Sequence, residues 1–306
     1  MLCCSQQVKT GLLGRRFNKQ QGMKLIKFLA QNDKGHVVNS AWEATHFPAG
    51  EAHIKVSEET VETPFAAYVT GTNMDDYVLL GQWADIAHQD GFTAHAMIPY
   101  LPGARADRGK PFGAKVYADI INSFNLDSVV CFDPHSKVMP SLINNIKIVH
   151  SDIVIKDAIA DLDQYVGVIC PDQGATERTE RVANTLGLPV FYAKKHRDFE
   201  TGKLSGFECE DVPEEGRLLV VDDICDGGGT FMGLASVINA DRERLTLWVS
   251  HGVFSGKANE LNKYFGRIYT TDSYPNARRE DVGAEVVNLL PYLVTEINNQ
   301  NKKEGN

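Results

Sequence analysis

The sequence predicts an α/β fold: two domains with mostly parallel sheets flanked by helices. Short apolar runs alternate with amphipathic stretches from Met23 onward, which is the pattern of strands separated by crossover helices. One of these runs, Leu218 to Val221, is apolar throughout, as expected of a strand buried on both faces of a parallel sheet. A chain of 306 residues, 43% hydrophobic and 23% charged, is long enough for two cores of about 150 residues each.

Met1 to Gly22 is basic and polar and lacks the apolar core of a signal peptide, so residues 1–22 read as a flexible extension without assigned function. Strands are expected at Leu25 to Leu29, Ala66 to Thr70, His95 to Tyr100, Ser128 to Phe132, Gly167 to Cys170, Val190 to Ala193, Leu218 to Val221, Thr246 to Ser250 and Arg267 to Thr271. Asp75 to Gln89 carries Leu79, Trp83 and Ile86 or Ala87 on one helical face. Phe112 to Phe124 carries Val116, Ile120 and Phe124 in the same way. Asp198 to Glu215, rich in Gly, Glu and Asp and without a strong period, reads as a mobile lid.

A net charge of −9 gives no electrostatic footprint for nucleic acid or an anionic membrane, so an anionic substrate has to be met by individually placed cations. The six cysteines show no Cys-x-x-Cys pair and no zinc spacing, and several lie inside apolar runs, which points to reduced thiols. With no apolar run near the roughly 18 residues of a bilayer span, the expectation is a cytoplasmic protein.

The chemistry is concentrated between Arg217 and Leu234, which reads as strand, acidic pair, glycine loop and helix. Gly227, Gly228 and Gly229 let consecutive N–H groups face one concavity suited to a phosphate, and Thr230 adds a hydroxyl. Asp222 and Asp223 would repel that phosphate, and make better sense accepting hydrogen bonds from sugar hydroxyls or lying near a hard cation. The alternative is a glycine turn after an acidic strand end. Elsewhere Arg105, Arg108 and Lys110 concentrate positive charge after a strand end, while Asp133 and His135 close one apolar strand and Asp172 ends another. Asp172 could equally cap the helix running through Arg178, Val182 and Leu186.

Taken together these segments resemble the ribose-phosphate pyrophosphokinase family. Val221 to Thr230 resembles its phosphoribosyl pyrophosphate loop, Val-Asp-Asp-x-x-Asp-Thr-Gly-Gly-Thr, with Gly227 in place of the usual threonine. Phe47 to Val56 resembles its Phe-Ser-Asp-Gly-Glu segment, with Ala49 for Asp. Ile98 to Asp119 resembles Ile-Pro-Tyr-x-x-Tyr-Ala-Arg-Gln-Asp-Arg, then a loop and Ala-Lys-x-x-Ala-Asp, with Ala106 for Gln. Asp133 to His135, Pro171 to Gly174, Ser250 to Gly256 and Asp272 to Pro275 match further motifs in the same order.

The resemblance implies two tandem phosphoribosyltransferase-like domains, residues 23–163 and 164–285, with about 286–306 rejoining the first; the strand and helix near Val286 to Asn298 would return there. It implies diphosphate transfer from Mg-ATP to the anomeric hydroxyl of ribose 5-phosphate. Asp222, Asp223, Asp226, Gly227, Gly228, Gly229 and Thr230 would bind the acceptor, and Phe47, Glu51, Arg105, Asp107 and Arg108 the nucleotide. His135 and Asp172 would hold Mg2+, and Lys194 with His196 or Arg197 would offset charge on the phosphoryl oxygens. A homo-oligomer, hexameric or dimer-based, is expected. A larger acceptor such as ADP-ribose, a phosphoribosyltransferase and a noncatalytic regulatory subunit are the competing readings.

Overall fold

The computed structural model describes residues 25–32, 36–56, 63–197 and 204–304; the extension at 1–22 lies outside them. Eight strands come first in the chain: β1 (Ile26–Gln31), β2 (Val37–Asn39), β3 (Glu43–His46), β4 (Ala52–Lys55), β5 (Thr63–Val69), β6 (His95–Met97), β7 (Ser128–Phe132) and β8 (Ile146–Val149). Six form a sheet in the order β2-β1-β5-β6-β7-β8, in which β5 to β8 are parallel and β1 is antiparallel to both neighbours. The other two, β3 and β4, make a separate hairpin whose turn is closed by Gly50 N–H donating to Phe47 O at 2.9 Å.

The second sheet contains β9 (Tyr165–Cys170), β10 (Val190–Arg197), β11 (Leu204–Cys209), β12 (Arg217–Cys225), β13 (Leu245–Gly252), β14 (Arg267–Thr271) and β15 (Glu285–Val287). Its order is β11-β10-β9-β12-β13-β14-β15, parallel except for the β10–β11 pair. Among the described residues, seven α-helices connect and cover the sheets: α1 (Met74–Gln89), α2 (Gly113–Asn122), α3 (Val138–Leu142), α4 (Ser151–Ala158), α5 (Thr176–Leu186), α6 (Gly229–Ala235) and α7 (Leu290–Glu304).

Alternation along the strands separates the cores. In the first sheet Phe28, Ala67, Val69, Ala96 and Val129 face α1 and α2, whose Leu80, Trp83, Ala114 and Ile121 complete that core. Their neighbours Leu29, Ala66, Tyr68, Met97 and Val130 face the other way, into one apolar cluster with Val168, Leu219 and Trp248 of the second sheet and Leu293 and Ile297 of α7. An apolar core therefore joins the two sheets.

Three expectations are corrected. The lid segment contains a strand, since β11 pairs antiparallel with β10 from Ala193 opposite Cys209 to Arg197 opposite Leu204; residues 198–203 lie outside the described part. The C-terminal strand does not rejoin the first sheet: β15 pairs with β14, and only α7 packs on β7 and β8. On α2 the buried residues are Ala114, Ala118 and Ile121, while Val116 is 57% exposed. Small side chains let α2 lie close to its sheet, so size, and not hydrophobicity alone, chose the inward face.

Candidate active site

Parallel strands deliver side chains to one edge, and four strand ends meet there: β7 with Asp133 to His135, β9 with Asp172, β12 with Asp222 and Asp223, and β13 with Ser250 and His251. Asp133 has a left-handed φ of 36°, unusual for a residue with a side chain. The bend is held by the second sheet and α5. Arg178 Nε donates to the Asp133 carboxylate at 2.7 Å, Ser250 Oγ donates to the same oxygen, and His251 Nε2 donates to the Asp133 carbonyl at 3.2 Å. Arg178 Nη2 also donates to Pro134 O at 3.1 Å. The turn so fixed presents His135 to the second domain, where Nδ1 lies 2.6 Å from Asp223 Oδ2.

The acidic pair shares the same guanidinium. Arg178 Nη1 is 3.6 Å from Asp222 and Nη2 is 3.8 Å from Asp223, and Arg178 is itself buried. Burial opposes ionisation of Asp223, but the His135 hydrogen bond and the Arg178 charge outweigh it and hold that carboxyl well below the usual range. Burial and the charge on Asp223 push Asp222 the other way. His135 is raised by its bond to Asp223, against burial. With Nδ1 donating to a carboxylate, Nε2 is the nitrogen that can meet a ligand.

Two adjoining cavities open on this edge. The larger, about 740 Å3, is lined by Asp107, Arg108, Lys137 and Arg181 on its outer side. The smaller, about 210 Å3, is lined by Arg105, Asp226 and the loop from Gly227 to Thr230. His135, Asp172, Asp222 and Asp223 line both. The glycine loop is shaped by Gly228, whose φ is 80° and where an added methyl would press on the Leu261 side chain at 3.0 Å. Gly227 is different. Its φ is ordinary and an added methyl would meet only Ser255 Oγ, at 3.9 Å, so the replacement of the family's threonine is not forced by space.

Several expected residues fall elsewhere. Phe47 stacks on His53 at 4.7 Å on the exposed β3–β4 hairpin, and neither it nor Glu51 lines either cavity. Ala49 and Ala106 do not line them either; Ala106 packs against Gly113, where an added methyl would lie 2.9 Å from its own. Arg105 lines the smaller cavity and pairs with Asp226 at 3.2 Å. Asp172 accepts the Gly174 N–H at 2.9 Å, so it caps the next turn of chain as well as lining both cavities. Lys194 is exposed, and strand alternation sends its neighbour to the opposite face: Lys195 Nζ donates to Thr230 Oγ1 at 3.1 Å. His196 and Arg197 close β10, and their side chains lie outside the described part.

Sequence reasoning did not single out Lys195, which reaches the glycine loop through Thr230, or Arg178, which lines the larger cavity. The signal for Lys195 was present, because the family's Lys-x-Arg spacing is met by Lys195, His196 and Arg197 and not from Lys194. For Arg178 the signal was a charged residue four positions before Val182 on the apolar face of α5, where both are buried.

A family model described as a phosphoribosyl transferase domain matches residues 145–251, which include β9 to β12, β13 up to His251, and the glycine loop. A ribose-phosphate pyrophosphokinase of Pyrococcus abyssi is 28% identical over 279 residues, covering 85% of this chain and 90% of its own. Another, from Sulfurisphaera tokodaii, is 24% identical over 272 residues, covering 82% and 89%. The chain is a relative of the ribose-phosphate pyrophosphokinases. Its two-sheet architecture is that of the phosphoribosylpyrophosphate synthetase from Mycobacterium smegmatis, with a TM-score of 0.69 over 87% of this chain and 92% of that one at 19% identity. Relative to the pyrophosphokinase motifs, the departures at Ala49 and Ala106 lie away from the two cavities, and the one at Gly227 lies within the smaller.

Proposed function

We propose that this protein is a ribose-phosphate pyrophosphokinase that transfers the β,γ-diphosphoryl group of ATP to the anomeric hydroxyl of ribose 5-phosphate, giving phosphoribosyl pyrophosphate and AMP. The observation that carries this reading is the pair of unequal cavities with His135, Asp172, Asp222 and Asp223 in their common wall. A transfer between two bound substrates needs such a wall. The larger cavity suits the nucleotide, with Arg108 and Lys137 for its phosphates; the smaller suits a pentose phosphate.

Among the described residues no three acidic, imidazole or thiol groups are arranged to hold a metal by themselves. That fits Mg2+, which takes one or two protein carboxylates and completes its shell with phosphate and water. Asp172, with His135 through Nε2, would hold it, and when bound it would neutralise charge on the bridging phosphoryl oxygens. The protein's own contribution is position and charge. Asp223, kept ionised by His135 and Arg178, accepts from ribose hydroxyls and orients the anomeric oxygen for in-line attack. Backbone N–H groups from Gly227 to Thr230 receive the 5-phosphate. Lys195, tethered to Thr230, offsets charge developing on the transferred group. A neighbouring subunit's β3–β4 hairpin would bring Phe47 and Glu51 to the nucleotide, so the working form is a homo-oligomer. The setting is cytoplasmic; no helix of the described residues is long and apolar enough to cross a membrane.

Incubating the purified protein with Mg-ATP and ribose 5-phosphate and monitoring phosphorus resonances tests the reading. AMP and phosphoribosyl pyrophosphate should form in equal amounts. Release of ADP would replace it with an ordinary kinase, and release of pyrophosphate in a parallel incubation with phosphoribosyl pyrophosphate and a free base would replace it with a phosphoribosyltransferase.

A further inference from the structure

We infer that Phe207 is a positioning residue for the transfer: its ring, seated on Gly233 of α6, holds Lys195 at the glycine loop. This rests on the charge-offsetting role proposed above for Lys195.

Lys195 and Phe207 are direct partners in the antiparallel β10–β11 pair. Side chains opposite each other on antiparallel strands leave the same face of the sheet, and here that face meets α6. Lys195 Nζ donates to Thr230 Oγ1 at 3.1 Å, at the first turn of the helix, and lies 6.0 Å from the centre of the Phe207 ring. Such a separation is the outer limit of cation–π attraction, so the ring acts on the lysine as a wall more than as a ligand. A wall is what Lys195 needs. One hydrogen bond from an ammonium is matched by the rotamer freedom that a lysine loses in making it, so the space left to the side chain decides whether the ammonium stays at the loop.

The wall is itself fixed. Phe207 is buried in one apolar cluster with Ala193, Phe231 and Leu234. A methyl added at Gly233 would lie 2.5 Å from its Cε2 and 2.9 Å from its Cδ2, so the ring fills the place of the side chain that Gly233 lacks. Gly233 stands inside α6, where glycine weakens a helix relative to alanine, and its φ is not in the left-handed region. Close approach of Phe207 is therefore what the glycine permits. The contact sets β11 against the helix whose first turn carries Thr230, and through the Lys195–Phe207 register it sets the lysine against the same turn.

Steady-state kinetics with Mg-ATP and ribose 5-phosphate on Phe207→Ala, Phe207→Leu, Gly233→Ala, Lys195→Ala and the Phe207→Ala/Lys195→Ala double variant test this. Misplacing a charged group by about 1 Å costs up to about a hundredfold, so Phe207→Ala should lower kcat by about ten- to a hundredfold, with each KM changed by less than about threefold. Gly233→Ala strengthens the helix and removes no side chain, but it pushes the ring aside; it should lower kcat in the same way and carries the test if Phe207→Ala fails to fold. Phe207→Leu keeps a wall and should recover most of the wild-type kcat. In the Lys195→Ala background, Phe207→Ala should lower kcat by less than about twofold, because the ring acts through the lysine. Unchanged kcat in both Phe207→Ala and Gly233→Ala would overturn the inference. So would a full loss on adding Phe207→Ala to Lys195→Ala, since a purely structural ring would act whether or not the lysine is present. Wild-type kcat in Lys195→Ala would instead remove Lys195 from the proposed mechanism, and the role of Phe207 with it.

Discussion

Lys194 and Lys195 are neighbours with opposite fates, and the difference is one of strand geometry. Successive side chains in β10 alternate, so only Lys195 can reach Thr230. Lys195→Ala is expected to lower kcat by about a hundred- to a thousandfold, the usual cost of one preorganised charge contact. Lys194→Ala should stay close to wild type. Steady-state kcat for both variants checks this, and equal loss in the two would mean that β10 shifts register during turnover. The acidic pair also divides. Both carboxylates line both cavities, but of the two it is Asp223 that is hydrogen-bonded to His135. Asp222→Asn should weaken ribose 5-phosphate and spare ATP, while Asp223→Asn should weaken both; calorimetry with each substrate alone would show a single pattern for the two variants if this division is wrong.

The glycine loop between β12 and α6 depends on Gly228 more than on its neighbours. Gly228→Ala has to accept a φ of 80° and push Leu261 aside, so it should destabilise the protein by about 1–3 kcal/mol, measurable as a shift in denaturant midpoint at unchanged slope. Gly227→Ala meets neither obstacle and should be nearly neutral for stability. The β10–β11 pair belongs with this loop. Its sequence reads as an unpatterned lid because Leu204 to Cys209 mixes glycine and charge, yet β11 needs no apolar alternation of its own. An edge strand takes its stability from backbone hydrogen bonds to β10 and from inward residues such as Phe207, buried against the α6 side of the core, and Cys209, packed partly against it.

The two domains are joined by an apolar core and by buried polar contacts around Asp133. Leu293 and Ile297 of α7 are fully buried against the first sheet, and each such side chain contributes about 1.5–3 kcal/mol. Since a folded domain has only about 5–15 kcal/mol in hand, α7 is not dispensable. Leu293→Ala should cost about 2–5 kcal/mol in equilibrium unfolding. The polar junction brings a pH dependence. Burial pushes His251 below the ordinary imidazole range, against the pull of the Asp133 charge. The unfolded chain therefore binds a proton, near pH 6.5, that the folded protein refuses, and stability falls as pH drops below about 6.5. His150, lowered by burial and by Arg181, acts in the same direction. Thermal midpoints between pH 5 and 8 should decline on the acid side, and His251→Asn should flatten part of that slope. A slope unchanged by the substitution would show that His251 is not protonated on unfolding in this range.

Local chemistry is what the sequence could determine unaided. Short runs rich in β-branched and aromatic residues name strands, so Ser128–Phe132 and Arg267–Thr271 were legible residue for residue. The motifs at their ends named Asp133, His135, Asp172, Asp222, Asp223 and the glycine loop, because those residue types at strand ends have few other uses. Only the tertiary structure could decide which of them meet. The distance from His135 to Asp223 spans 88 residues of chain, and the pairing of Arg178 with Asp133 spans 45. It also decided which of two adjacent lysines faces the loop, which face of α2 is buried, and which cavity receives Arg105. Those are questions of direction in space, and they are answered by strand register and by packing between domains, neither of which a one-dimensional pattern encodes.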